Sequence, residues 1–211
     1  MSFRVIEPPS GGLVFDTISH ISTVSAQALK KLGFSGAMLY AELVTPEDIS
    51  NVTGAGLWLG FTQLGLKHDT EPTTELGKQM GSACSSRLRS LGVPQGVSVM
   101  VDLEGDGKPP QSWIDFGNAS GLSIHLAGDK PGFYLGEGIG LTSQQLYTLF
   151  GWPYWKGMSR VADSTGNLAE PKCGYCMVQQ YPDNLVFAGV QVDCSIVGKD
   201  YWDRSISVIA I

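Results

Sequence analysis

Short apolar runs alternate along the chain with stretches in which apolar residues recur at helical spacing, a pattern that predicts parallel strands joined by crossover helices. Leu13-Val14-Phe15 reads as a buried strand ending at Asp16, and Ser25 to Leu32 as a helix stopped by Gly33 at the C-cap position. Gly36 to Tyr40 predicts a second strand. Thr45-Pro46-Glu47-Asp48 then opens a helix, with a hydroxyl to cap orphan amides, a proline at the first position and acids near the positive end of the dipole. Leu57 to Phe61 predicts strand three, and a long amphipathic helix follows from Glu71 to Leu91, stopped by Gly92.

Val97-Ser98-Val99-Met100-Val101 is the clearest strand, β-branched and uncharged, and it runs into Asp102-Leu103-Glu104-Gly105. Pro110 to Ala127 reads as a helix ended by Gly128, Pro131 to Leu135 as strand five, and Thr142 to Phe150 as a short helix. Strands six, seven and eight are predicted at Trp152 to Trp155, Cys176 to Gln180 and Gly189 to Val192. The apolar end, Ile206 to Ile211, either closes a barrel floor or pairs at an edge. Eight strands with intervening helices fit an α/β fold closed into a (β/α)8 TIM-like barrel better than an open doubly wound sheet. The chain has 211 residues, against roughly 250 for a typical barrel of this kind. The barrel is therefore compact, with helices short or missing in its last third. No linker or repeat interrupts it, so residues 1–211 read as a single domain.

Composition narrows the function. With 43% hydrophobic and 16% charged residues the chain is globular, and its 27 glycines are scattered without a period. A net charge of -6 excludes a nucleic-acid partner. No apolar run approaches the roughly 18 residues of a membrane span, so no membrane partner is expected. MSFRVIEPPSGG lacks the features of a secretory signal, which implies a product made in the cytoplasm. Cys173 and Cys176 form a C-x-x-C without a second pair or a histidine set. Ordinary thiols, a local disulfide and a metal clip remain open for them. His20, His68 and His125 show no ligand spacing, and His125 falls on a predicted helix in a structural setting. G-x-S-x-G, P-loop and H-E-x-x-H motifs are absent, so no cofactor is expected.

The acids carry the chemistry. Asp16, Asp102, Glu104 and Asp193 each follow an apolar strand at its C-terminal end, the face on which α/β barrels build their active sites. Alternation along a strand points Asp102 and Glu104 the same way and turns Leu103 toward the helices. Clustered carboxylates repel, so at least one keeps its proton near neutral pH. A protonated acid beside an ionised one is what glycosidic bond cleavage requires. Each acid taken singly also fits a cap or a salt bridge; four at matching strand ends do not. Tyr40 and Glu42 end strand two, Tyr134 lies in strand five, and Gln179-Gln180-Tyr181 ends strand seven. These residues, with the aromatic cluster Trp152, Tyr154 and Trp155, suit a carbohydrate cleft, where rings stack on sugars and amides bond hydroxyls. Aromatic residues equally fill cores. Asp-x-Glu is able to bind magnesium or calcium, but no basic phosphate-handling residue accompanies it and no metal is expected.

In order along the chain, Val14-Phe15-Asp16-Thr17-Ile18-Ser19, Val101-Asp102-Leu103-Glu104-Gly105, Pro131-Gly132-Phe133-Tyr134, Val178-Gln179-Gln180-Tyr181 and Gly189-Val190-Gln191-Val192-Asp193 resemble the family-25 glycoside hydrolases, the lysozyme-type muramidases. They are more similar still to the glycoside-hydrolase-like domains of unknown function in bacteria and phages. Gly151-Trp152-Pro153-Tyr154-Trp155 departs from that pattern. The resemblance implies a barrel acting on peptidoglycan or another polysaccharide, at the bacterial cell wall or as part of a virion. It implies Glu104 as general acid and Asp102 as the partner carboxylate that positions an acetamido group or a water. Asp16 and Asp193 become the flanking acids. Two further functions stay open: a non-catalytic carbohydrate-binding or structural virion protein with self-assembly partners, and a metal-dependent hydrolase using the same acids.

Overall fold

The computed structural model describes the chain except residues 1, 68, 106–107, 137, 152, 158–165, 168 and 181–184. His68, Trp152 and Tyr181 thus lie outside the described residues. After β1 (Arg4–Ile6), seven parallel barrel strands follow: β2 (Leu13–Thr17), β3 (Phe34–Tyr40), β4 (Trp58–Gln63), β5 (Ser98–Leu103), β6 (Lys130–Leu135), β7 (Tyr154–Lys156) and β8 (Met177–Gln179). β9 (Leu185–Phe187) is paired outside the ring, and β10 (Val190–Val197) is the eighth barrel strand, between β8 and β2. The β4–β5 pairing closes the ring, so the fold is an α/β barrel.

Helices α1 (Thr23–Lys31), α2 (Pro46–Gly54), α3 (Thr74–Ser90) and α4 (Pro110–Leu126) cover the first half, and α5 (Ser143–Leu146) is a single turn. Among the described residues no helix follows β7. The Thr45 start works as its residue types demand: Thr45 and Asp48 form a reciprocal capping box behind Pro46. Gly33 ends α1 in the left-handed region at φ +99°.

One expectation is corrected. The eighth strand is not parallel: β10 runs antiparallel to both β8 and β2, with Asp193 opposite Asp16. Among the described residues no crossover helix separates it from β8. Instead β9 and β10 form a hairpin in which Phe187 pairs with Val190. The turn residues Ala188 and Gly189 lie at φ 51° and 76°, positive at both positions as a tight two-residue hairpin requires. Parallel strands need a crossover of roughly a dozen residues or more, and a hairpin reverses the chain. Asp193 consequently sits inside the strand, in the half that enters from the mouth, and does not follow its end.

Side chains alternate between two cores. Phe15, Leu39, Leu59, Phe61, Val99, Val101 and Phe133 face the helices. Val14, Met38, Trp58, Met100, Trp155, Met177 and Val197 fill the barrel. That interior closes because small residues oppose large ones. A Cβ on Gly36 would fall on the Trp58 indole, and one on Gly132 would stand 2.6 Å from the Met100 sulfur. The C-terminal segment does both things expected of it. Ile206 and Val208 join the interior core as its floor, and β11 (Val208–Ala210) pairs with β1 and β4. Ser98 N donates to Ser207 O at 2.7 Å, and Ser207 N donates back to Ser98 Oγ at 2.8 Å, fastening that floor to β5.

All four cysteines are free and buried, so Cys173 and Cys176 form no disulfide. Burial raises the Cys176 and Cys194 thiols, the latter to about 11. His125 lies on α4 and meets Phe150 edge-on at 5.7 Å, a packing role.

Candidate active site

The strand ends bring the four acids to one mouth by three routes. Asp16 is the fourth residue of β2, in the barrel-facing phase set by Val14. Asp102 is the fifth residue of β5 and shares a phase with Met100 inside the barrel. Glu104 lies one residue beyond the strand and is exposed at the lip. Asp193 arrives from the opposite chain direction and is half-buried against Asp16.

Asp102 is the centre of this arrangement. It is 3% exposed. Burial first, and then the charges of Glu104, Asp16 and Glu42, push its carboxyl well above the usual range, while a hydrogen bond from the Gly65 amide acts in the other direction. Its Oδ1 is buried with no hydrogen-bond partner among the described residues, where a bare charge would be costly. Burial and like charge together therefore favour the protonated form of Asp102. Tyr40, on the next-but-one strand, is also held strongly protonated, by burial and then by Asp102, Asp16 and Glu104. Asp16 and Glu104 act on both groups, so Asp16, Tyr40, Asp102 and Glu104 share one electrostatic neighbourhood.

Of the remaining sequence candidates, Tyr134, Gln179 and Glu42 are among the described residues. Tyr134 stands beside Asp102 in the β5–β6 register and edge-on to Trp155 at 4.7 Å. Its hydroxyl reaches the buried Gln179 Oε1 at 3.5 Å. Glu42 is exposed, and its Oε2 accepts from Leu64 N at 3.0 Å, tying the ends of β3 and β4 together. Asp16, Tyr40 and Asp193 line an open cleft of about 320 Å³ with Ile18, Ser19 and Gln191. Thr17 holds the floor of this cleft, its Oγ1 donating to Gln191 O at 2.7 Å and accepting from Ser19 N at 3.0 Å. A cleft of about 380 Å³ at the other end of the barrel, lined by Lys130, Pro131 and Arg204, takes none of the four acids.

Three residues near the acids, Gly65, Gly136 and Thr62, were not among the sequence candidates. A Cβ on Gly65 would sit 2.8 Å from Asp102 Oδ2, and one on Gly136 would sit 2.6 Å from Glu104 Oε2. Each glycine leaves the space that its carboxyl occupies. Thr62, buried on β4, has an Oγ1 without a hydrogen-bond partner among the described residues. Strand alternation would have put Thr62 in the barrel had β4 been read past Phe61. Nothing local distinguishes the two glycines. Among the described residues no group of three or more histidine, cysteine or acidic side chains is arranged to hold a metal ion.

Fold and site together define an eight-stranded α/β barrel with a carboxylate-rich mouth. No protein-family model matches the chain, and no curated protein matches it. Solved structures do. A Tat-secreted protein of Mycobacterium tuberculosis, crystallised with L-tartrate, is 15% identical, with 91% of this chain and 100% of that one covered at a TM-score of 0.65. An uncharacterized protein of B. stearothermophilus is 15% identical over 89% of this chain and 96% of that one, at 0.64. The spore cortex lytic enzyme SleM of Clostridium perfringens is 13% identical over 88% of this chain and 67% of that one, at 0.58. At these identities the likeness is one of fold.

Proposed function

We propose that the mouth hydrolyses glycosidic bonds in the glycan strands of peptidoglycan, in the manner that the resemblance to the family-25 muramidases implies. The observation that carries this reading is the gathering of Asp16, Asp102, Glu104 and Asp193 at one mouth, with Asp102 buried and its carboxyl raised. Glu104, exposed at the lip, protonates the leaving oxygen as the bond from the anomeric carbon breaks. Asp102, with its carboxyl raised by burial, orients the substrate's acetamido group or the attacking water. Asp16 and Asp193 supply negative charge beside the sugar cation. Water then adds to the anomeric carbon and gives one proton to Glu104, which restores the acid. Tyr40, Tyr134 and Gln179 present hydroxyl and amide groups to the sugar, and Glu42 bounds the rim. A spore cortex lytic enzyme built on the same barrel supports a bacterial wall as the place of action.

The test is release of new reducing ends from purified peptidoglycan. The unaltered protein is expected to release them, and Glu104→Gln to lose at least about a hundredfold in rate, the usual scale of a general acid. Full activity in that variant removes Glu104 from its role. Binding of glycan without release by the unaltered protein removes hydrolysis altogether and leaves a carbohydrate-binding barrel.

A further inference from the structure

Beyond the acid mouth, the loop between β2 and α1 leads to a second polar groove that the proposed chemistry does not use. The mouth cleft shares Thr17, Ile18, Ser19 and Tyr40 with a narrow neighbouring depression. That depression in turn shares His20 and Asp48 with an open groove of about 440 Å³. Shared residues thus link the three depressions, and Ile18, 69% exposed, lines two of them.

The far groove is preorganised. Asp48 is buried, and its carboxylate is fully engaged: Oδ1 accepts from Ile21 N at 2.7 Å, while Oδ2 accepts from Thr45 N at 2.9 Å and Thr45 Oγ1 at 2.7 Å. Oδ2 also meets His20 Nδ1 at 3.0 Å. A carboxylate there makes Nδ1 the donor and leaves Nε2 as the ring nitrogen for a ligand. The imidazole itself is 73% exposed, so it is held from behind and presented in front. Asn51 is fixed in the same way, its Nδ2 donating to Ile21 O at 2.8 Å and its Oδ1 accepting from Thr23 Oγ1 at 2.7 Å. An imidazole, a hydroxyl and an amide with set orientations, reached along an apolar ledge, match the hydroxyls and apolar faces of a sugar ring.

We infer that His20, Thr23 and Asn51 form a distal saccharide subsite, which engages a glycan strand whose reacting bond lies in the acid mouth. The inference rests on the carbohydrate reading of that mouth. It makes chain length the diagnostic variable, because a strand long enough to occupy both grooves gains the contacts of His20 and Asn51 and a ligand confined to the mouth does not.

The test measures binding of peptide-free glycan strands, prepared with an amidase and sorted by length, to the full chain and to His20→Ala and Asn51→Ala. A lost hydrogen bond of ordinary strength corresponds to about a three- to tenfold loss of affinity. That loss is expected for long strands in both variants, with disaccharide binding unchanged. Melting temperatures identify any variant that fails through misfolding, and Thr23→Val then serves in its place. Undiminished long-strand affinity in the folded variants overturns the subsite and leaves the mouth reading standing. Equal losses for disaccharide and long strand also overturn it, since the groove would then act through the mouth. Failure of the unaltered protein to bind any glycan overturns both.

Discussion

Replacing Asp102 with asparagine isolates the carboxyl that the barrel has removed from water. Burial and the charges of Glu104, Asp16 and Glu42 keep its proton on well above the usual carboxylate range. In the unfolded chain the same group titrates near ~3.9. From that pH up to the folded group's own titration, the native state binds one proton more than the unfolded state. Stability therefore falls as pH rises, by about 1.4 kcal/mol for each pH unit in that window. The contribution is complete below the unfolded value and lost once pH has passed the folded one. Asparagine keeps the shape, cannot ionise, and can still accept from Gly65 N through its carbonyl while its amide takes the place of the carboxylic O–H. Asp102→Asn should thus gain stability over the parent as pH rises from the acid range to neutrality. Urea denaturation of both proteins across that range measures the gap. Titrations common to the two, such as the raised Asp129 and the lowered Asp48, largely cancel in the difference. A gap that stays constant or narrows with rising pH would refute the argument, because Asp102 would then be ionised in the folded protein.

Other predictions concern the scaffold. Gly36→Ala should cost about 3 kcal/mol in urea denaturation, since the Trp58 indole occupies the place of the new methyl group; a cost near zero would mean that the interior packs differently. Ile206→Ala should cost about 3 kcal/mol by the same measurement, because Ile206 is fully buried in the barrel floor. Burial alone would raise the Asp48 carboxyl, but hydrogen bonds from Thr45, His20 and Ile21 overcome it and hold the group below its ordinary value. Its stabilisation is present above the unfolded pKa and lost as pH falls through the folded one. Asp48→Asn should accordingly lose about 1 kcal/mol at neutral pH, with the deficit closing in acid; a deficit that grows in acid would contradict the assignment.

Much of the fold was legible because its early elements are locally consistent. Val97 to Val101 has no charge, β-branched residues and a clear stop, and it became β5 within a residue at one end and two at the other. The Thr45-Pro46-Glu47-Asp48 start and the Gly33 stop are local chemistry and appear where they were expected. The last third was harder to read. Its strands other than β10 have three residues each, α5 is a single turn, and its hairpin turn is Ala188-Gly189, a weaker indicator than Asn-Gly.

The acids divide along the same line. That Asp102 and Glu104 belong to one face follows from a period of two and needs nothing beyond five residues of sequence. The same period is unchanged when a strand is reversed, so it could not tell whether Asp193 ends a parallel strand or lies within an antiparallel one. The connection decides that, and here a two-residue turn replaced the crossover that a parallel eighth strand would have needed. Tertiary structure alone also decided that Asp102 should keep its proton. Burial by the closed ring, the charges brought in from β2 and from the loops after β3 and β5, and the space left by Gly65 act together on one carboxyl, and no local stretch of the chain contains them all.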